Sequence, residues 1–174
     1  QANLSLLDGL RIQGTTKDLS AANDAFEKAL SYHTFGNSEI REHMSQFVSS
    51  LLGSNAPADL KERAFKRITG ELQAGIKEAP FDPRAPLFLG TVYSQAGLFN
   101  EALVSFEDAQ NLSPKKQQIF FEIADVYIKE GNYPKAVSVL EESFSLAPTF
   151  NEGRINLAAV YILNNQQAKA DALL

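Results

Sequence analysis

The sequence predicts an all-α protein built from a row of helical hairpins, and a repeated spacing carries this prediction. Prolines recur every 34 residues, and small residues and tyrosines recur at fixed distances after each one. The repeated positions are Pro80, Pro114 and Pro148; Gly90, Ala124 and Ala158; Tyr93, Tyr127 and Tyr161; and Ala102, Ala136 and Ala170. A fixed period of this length is typical of stacked helix–turn–helix units that bury their apolar faces against one another.

The first regular unit spans residues 84–112, where apolar residues recur at helical spacing on both sides of Gly97. A turn is therefore predicted at Gly97, between two antiparallel helices. We expect Asn100 to cap the second of these helices. Ser113 is expected to cap the next helix, with Pro114 in its first turn, where the missing N–H costs little.

The following units repeat this plan, with predicted turns at Gly131 and at Asn164–Asn165. The last unit is incomplete and stops at Leu174, within its second helix. Because the sequence also begins with Gln1 rather than methionine, we expect it to be a piece of a longer protein.

The repeated residues resemble the tetratricopeptide repeat (TPR), a helix–turn–helix of 34 residues. The resemblance implies a right-handed superhelical solenoid of antiparallel hairpins. Tryptophan usually stands six residues after each proline in this family, and here Pro86, Phe120 and Arg154 replace it. Packing at Pro86 and Arg154 is therefore expected to differ from the family pattern.

Upstream of Pro80 the period is less regular. The spacing of Ala22, Phe26 and Ala29 matches that of a second repeat helix, and it predicts a helix over residues 18–33 paired with one over 3–11. A longer hairpin follows. Its first helix begins near Asn37, and its second ends near Ala79.

The first helix of that longer hairpin has four apolar residues at helical spacing, namely Ile40, Met44, Phe47 and Leu51. From Thr34 to Pro80 is 46 residues, 12 more than one period. In total we predict about five hairpins, the second enlarged and the fifth truncated. They form one domain over 1–174, irregular over 1–79 and regular over 80–174.

The composition excludes several classes of function. A net charge of −5 and the absence of a basic stripe argue against a nucleic-acid surface. No cysteine is present, which rules out disulfides and thiolate chemistry. No apolar run approaches the ~18 residues of a membrane span, so we expect no membrane insertion by these residues.

Catalytic and metal-binding patterns are absent from the sequence. His33 and His43 are the only histidines, and neither has a partner at the spacing of a zinc site. No nucleophile–histidine setting and no glycine-rich phosphate loop is present. We therefore expect no cofactor, no metal and no enzyme activity.

The TPR resemblance assigns a partner-binding groove to the first helix of each regular unit. The matching positions are Leu87, Phe88, Thr91 and Ser94; Phe121, Glu122, Asp125 and Ile128; and Ile155, Asn156, Ala159 and Ile162. Apolar residues and one acidic spot would suit an extended peptide, a helix or a partner domain. The alternative is that Phe121, Ile155 and Ile162 are buried by adjoining helices or by a helix beyond residue 174.

Some TPR proteins hold a partner's C-terminal carboxylate with basic residues and asparagine in this groove. The corresponding positions here are Leu87, Thr91, Phe121 and Asp125. We therefore do not expect this chain to bind the charged tail of a heat-shock chaperone.

Another cluster is basic, with Lys61, Arg63, Lys66 and Arg67 on one predicted helix. It could contact an anionic lipid or glycan. The interspersed acidic residues instead favour an ordinary solvated face.

A second resemblance covers the stretch from Lys28 to Phe47 (KALSYHTFGNSEIREHMSQF) and the repeats after it. It is similar to the soluble tail of bacterial membrane proteins of the O-antigen ligase and polymerase type. This implies an accessory, extracytoplasmic scaffold attached to a glycan enzyme. The alternatives are a free-standing adaptor in an envelope or secretion assembly, and a cytoplasmic location. Self-association through the apolar end at Leu173 and Leu174 is a further expectation.

Overall fold

The computed structural model describes residues 1–15, 18–32 and 37–174. The described residues form ten α-helices and no strand. The helices are α1 Ala2–Thr15, α2 Leu19–Leu30, α3 Asn37–Leu52, α4 Ala58–Glu78, α5 Arg84–Gln95, α6 Phe99–Leu112, α7 Gln117–Lys129, α8 Tyr133–Leu146, α9 Asn151–Leu163 and α10 Gln167–Leu173.

The chain forms two compact units, Gln1–Leu98 and Phe99–Leu174. The first contains α1 to α5 and the second contains α6 to α10. The single domain, with its change of regularity at residue 80, stays a prediction.

In the first unit, α1 packs against α2, and α3, α4 and α5 pack against one another. The predicted apolar face of α2 is buried, since Ala22, Phe26 and Ala29 are all inaccessible to solvent. Asp18 caps α2 by accepting a hydrogen bond from the Ala21 N–H at 3.0 Å. The ring of Phe26 lies 5.2 Å from that of Phe47, which joins the first hairpin to the second.

The second hairpin is lengthened, as predicted, because its helices have 16 and 21 residues. All four predicted core residues of α3 are buried, and they are Ile40, Met44, Phe47 and Leu51. Asn37 is the first residue of α3 and is itself buried. His33, where the helix of residues 18–33 was predicted to end, and Thr34 lie outside the described residues.

In the second unit, α7 packs on α8, α8 on α9 and α9 on α10. Small residues lie at the centre of both hairpins. Ala124 and Ala136 are buried in the hairpin of α7 and α8, and Ala158 and Ala170 in the hairpin of α9 and α10. Alanine side chains allow the helix backbones to approach closely, and Leu140 fills the space beside them.

The C-terminal ends of α5, α7 and α9 have one geometry, repeated every 34 residues. Gly97, Gly131 and Asn165 have positive φ angles of 77°, 73° and 56°. The next residue donates its N–H to the carbonyl of Tyr93, Tyr127 or Tyr161 at 2.8–2.9 Å. This is the Schellman arrangement that ends a helix. Glycine adopts positive φ without strain, and asparagine tolerates it better than most residues.

The turns between hairpins also repeat. In each of them a backbone N–H donates to the carbonyl oxygen three residues earlier, at 3.0–3.1 Å. The donor and acceptor residues are Asp82 and Ala79, Lys116 and Ser113, and Phe150 and Ala147. The second residue of each of these four-residue turns is one of the periodic prolines, Pro80, Pro114 or Pro148. Proline suits this position because its fixed φ matches the turn.

These turns correct two predictions about caps. Ser113 and Pro114 lie in the turn before α7, which begins at Gln117, so Ser113 does not cap that helix. Asn100 is the second residue of α6 rather than its cap. In α8 the cap is Asn132, the residue that follows Gly131, and its Oδ1 accepts from the Lys135 N–H at 3.3 Å.

Candidate functional site

A pocket of about 260 Å³ lies between α7 and α9 in the second unit, and we call it the α7–α9 pocket. Five of the eight groove residues predicted in this unit line it, namely Phe121, Asp125, Ile128, Asn156 and Ala159. The other residues of its lining are Ala124, Leu140, Val160 and Leu163. The resemblance thus selected residues that the structure brings together in space.

Helical periodicity explains why these residues meet. Phe121, Asp125 and Ile128 lie one turn apart along α7, and Asn156 and Ala159 are similarly spaced along α9. The two helices contact each other directly. Their facing sides therefore form the two walls, and Leu140 contributes from α8.

Phe121 is the one aromatic side chain that the described part of the chain contributes to the pocket lining. Its ring is stacked on that of Phe150, with centroids 6.2 Å apart and planes 6° from parallel. Phe150 lies just before α9, so this contact connects the inter-hairpin turn to α7. Phe121 is consequently largely covered rather than fully open.

Asp125 is the single ionisable side chain among the described residues that line the α7–α9 pocket. Its carboxylate accepts from Lys129 Nζ at 2.8 Å, one turn along the same helix, and about half of its side chain is exposed. Glu122, also predicted for the groove, is half-buried and is absent from the pocket lining.

The outer face of α9 exposes large apolar side chains beside the pocket. Ile155 is 56% exposed, Ile162 49% and Leu163 45%. Ile155 and Ile162 were both predicted groove residues. They continue the apolar surface of the pocket onto solvent-facing α9.

The four groove residues predicted in the first unit are less accessible. Leu87 and Ser94 are buried, so their side chains are not available at the surface. Thr91 is half-buried, and its hydroxyl donates to the Leu87 carbonyl at 3.2 Å. Phe88 is also half-buried and lines a different pocket, formed by α3, α4 and α5.

This second pocket has a volume of about 560 Å³ and is lined by a buried, ion-paired arginine that the sequence reasoning missed. Arg41 is only 7% exposed and donates to Glu78 at 2.7 and 3.1 Å and to Glu71 at 3.4 Å. The hydrogen bond from Arg41 to Glu78 outweighs desolvation and raises the pKa of Arg41. Gly75 makes room, since a methyl group there would approach Arg41 Nη1 to 3.1 Å.

A sequence signal for Arg41 did exist. Arg41, Ser45 and Val48 follow one another at helical spacing on α3 (i, i+4 and i+7), and all three are buried. A charged residue in phase with an apolar helix face indicates a paired, buried charge.

Three of the four residues in the basic cluster on α4 make side-chain contacts within the chain. Arg63 pairs with Asp24 at 2.6 Å, Arg67 pairs with Glu71 at 2.9 Å, and Lys61 bonds to the carbonyls of Leu52 and Ser54. These contacts favour the alternative of an ordinary helix surface. His43 on α3 is half-buried.

Among the described residues, no group of three or more His, Cys, Asp or Glu side chains could hold a metal ion. In the same residues, no helix is both long and apolar enough to cross a membrane. The described lining of the α7–α9 pocket is apolar except for one carboxylate and one amide, those of Asp125 and Asn156.

Comparisons with known proteins agree with this geometry. Residues 117–150 match the family model described as tetratricopeptide repeat, which covers α7 and α8. The search of curated protein sequences gave no match.

Solved structures share the fold at low sequence identity. A thermophilic TPR protein from Thermus thermophilus is 19% identical with a TM-score of 0.64, covering 99% of this chain and 88% of that chain. A tetratricopeptide repeat protein from Parabacteroides merdae is 20% identical with a TM-score of 0.69, covering 99% of this chain and 62% of that chain. MamA from Desulfovibrio magneticus is 15% identical with a TM-score of 0.62, covering 86% of this chain and 77% of that chain.

The predicted all-α, TPR-like fold is therefore confirmed. Residues 117–150 form a tetratricopeptide repeat, and the chain has the helical fold of tetratricopeptide repeat proteins.

Proposed function

We propose that this chain is a non-catalytic scaffold that binds a protein partner at the α7–α9 pocket. One observation carries the proposal: five residues predicted for the groove line one open pocket beside the exposed apolar face of α9. Exposed apolar surface next to a concave site is typical of protein-binding regions.

The size of the pocket supports a protein ligand rather than a small molecule. Small-molecule sites usually enclose about 300–1,000 Å³. The α7–α9 pocket is smaller, at about 260 Å³, and α9, which supplies four of its lining residues, also exposes Ile155 and Ile162. Such a site suits the insertion of one apolar side chain from a longer segment that covers the surrounding surface.

The test is a selection of peptides from a random display library against the whole chain. Affinities of the selected peptides are then measured by fluorescence polarisation for the wild type and for Ala159→Trp, which fills the pocket. Ser138→Trp on the exposed face of α8 is the matched control. We expect Ala159→Trp to weaken binding at least tenfold and Ser138→Trp to leave it unchanged. Equal affinities for all three proteins would exclude this site.

We also propose that the scaffold is an extracytoplasmic accessory domain of a membrane glycan ligase or polymerase. The support is the resemblance of residues 28–47 to the tails of such proteins. Within this stretch, residues 33–36 lie outside the described part of the chain. The sequence of the whole reading frame tests it. Many apolar spans of ~20 residues are expected. A short frame with a leader or lipid anchor would instead favour a free-standing adaptor.

A further inference from the structure

We propose that the occupant of the α7–α9 pocket is a basic amphipathic helix, with an apolar stripe for α9 and a lysine or arginine beside Asp125. This inference rests on the proposed function and specifies its partner. Three features of the second unit support it: the spacing of the exposed apolar residues, the pocket itself and the position of the single carboxylate.

The exposed apolar residues of α9 form a stripe of defined length. Ile155, Ala159, Ile162 and Leu163 have the spacing i, i+4, i+7 and i+8, and all four are exposed. They extend over about 12 Å, or two helical turns. A second helix laid along this stripe would match it with its own residues at the same spacing.

The pocket fixes the position of such a helix along the stripe. Ala159 and Leu163 belong both to the stripe and to the pocket lining. A large apolar side chain of the partner can enter between α7 and α9 while the rest of its stripe covers Ile155 and Ile162. Central, enclosed apolar contacts of this kind supply most of the affinity of protein interfaces.

The carboxylate of Asp125 selects the charge of the partner. Lys129 holds it in an i,i+4 pair on the surface of one helix, and such pairs are weak. Asp125 also keeps about half of its side chain exposed. An incoming lysine or arginine can therefore compete with Lys129 for this carboxylate, whereas an incoming carboxylate has no donor to offer Asp125.

The test uses designed peptides of about 14 residues, or four helical turns, with leucines at i, i+4, i+7 and i+8. Three versions place lysine, glutamine or glutamate on the polar face, and a fourth scrambles the lysine version so that it has no apolar face. Binding is measured to the whole chain at 0.15 M and 0.5 M salt. We expect the lysine peptide to bind at least tenfold more tightly than the glutamate peptide, and the scrambled peptide not to bind.

Matched variants separate a local contact from the general attraction of an acidic protein. Asp125→Asn should weaken the lysine peptide about three- to fivefold and leave the glutamine peptide unchanged. Asp108→Asn removes an equal charge from the exposed face of α6 and should leave the affinities of both peptides unchanged. An equal loss in both variants, or equal binding of the lysine and glutamate peptides, would overturn the inference.

The outcomes also distinguish this inference from the proposed function. If display-selected peptides bind and Ala159→Trp blocks them without any preference for basic residues, the scaffold stands and the basic helix is wrong. If Ala159→Trp leaves the binding of every peptide unchanged, both the proposed function and the basic helix are wrong. If light scattering gives twice the 19.1 kDa of one chain, and Ala159→Trp restores the monomer, the occupant is a second copy and the basic helix is wrong.

Discussion

The hairpin of α3 and α4 and the hairpin of α7 and α8 pair their helices in different ways. Between α7 and α8 the contact consists mainly of small and large apolar residues at repeating positions, with Ala124 and Ala136 at its centre. A neutral hydrogen bond also joins these two helices, in which Ser143 Oγ donates to Gln117 Oε1 at 2.6 Å. Between α3 and α4 the apolar core is joined by Arg41, which reaches across to Glu71 and Glu78. A regular repeat positions its helices by shape, whereas the irregular hairpin adds a buried charge that requires specific partners.

The largest effect is expected from removing the buried charge. Arg41→Ala should destabilise the chain by about 3 kcal/mol, because it leaves the largely buried Glu71 without one of its two arginine partners. Arg84→Ala is the control, since it removes an exposed pair with Asp82 and should cost less than about 1 kcal/mol. Urea unfolding followed by circular dichroism gives both values. Equal losses would show that burial of Arg41 adds nothing.

The same contrast explains how much the sequence could predict. The hairpins of the second unit and their turns followed from a period that repeats in the chain itself, whereas the five pocket residues followed from the resemblance to the TPR family. The Arg41 cluster joins residues 30 and 37 positions apart, and no repeat of the pattern indicates which glutamates it meets. The burial of Leu87 and Ser94 was missed because a groove position in the family does not fix local exposure.

The predicted caps failed for a related reason. Ser113 and Asn100 have suitable side chains, but hydrogen bonding in the turns decides where each helix begins. Pro114 fits the second position of a β-turn as well as the first turn of a helix. A single sequence does not separate these two uses of proline.

The next effect tests pairing by shape in the second unit. Ala158→Leu should destabilise it by about 2 kcal/mol, because the larger side chain overpacks the contacts of α9 with its neighbours. Ala159→Leu changes the adjacent, exposed residue and should be close to neutral. Hydrogen exchange read by mass spectrometry should show faster exchange in α8, α9 and α10 only for Ala158→Leu. Similar behaviour of the two variants would contradict this packing.

A smaller effect is expected at the glycine turns, which both units share. Gly97→Ala and Gly131→Ala should each cost about 1 kcal/mol, because alanine is strained at φ near +75°. Added methyl groups find open space among the described residues, so strain rather than collision determines the cost. Thermal unfolding measures the loss, and Gly131→Asn is the control, with a smaller loss. A neutral Gly97→Ala beside a costly Gly131→Ala would show that the two turns differ.

The smallest effect concerns pH and the contact between Tyr161 and Glu141. Tyr161 donates to Glu141 Oε1 at 2.6 Å, and Lys169 Nζ lies 3.2 Å from the same oxygen. Burial and this hydrogen bond raise the pKa of Tyr161 to about 12. The hydrogen bond from Tyr161, with a smaller contribution from Lys169, lowers the pKa of Glu141.

The direction of the pH dependence follows from these shifts. Glu141 stabilises the fold above its ordinary pKa of 4.5, and this is lost as the pH falls through its lowered pKa. Tyr161 stabilises below its ordinary pKa of 10.0, and this is lost as the pH rises towards about 12. Tyr161→Phe should therefore cost less than about 1 kcal/mol of stability at neutral pH. It should also reduce the dependence of the unfolding free energy on pH, both at acidic and at alkaline pH. An unchanged pH profile of unfolding would contradict the assignment.

The most direct test of the binding surface is an NMR titration of the labelled chain with a display-selected peptide. We expect the largest chemical-shift changes on α7 and α9, at Phe121, Ile128, Ile155, Ala159 and Ile162. Changes concentrated on α4 or around Arg41, with α9 unaffected, would contradict it.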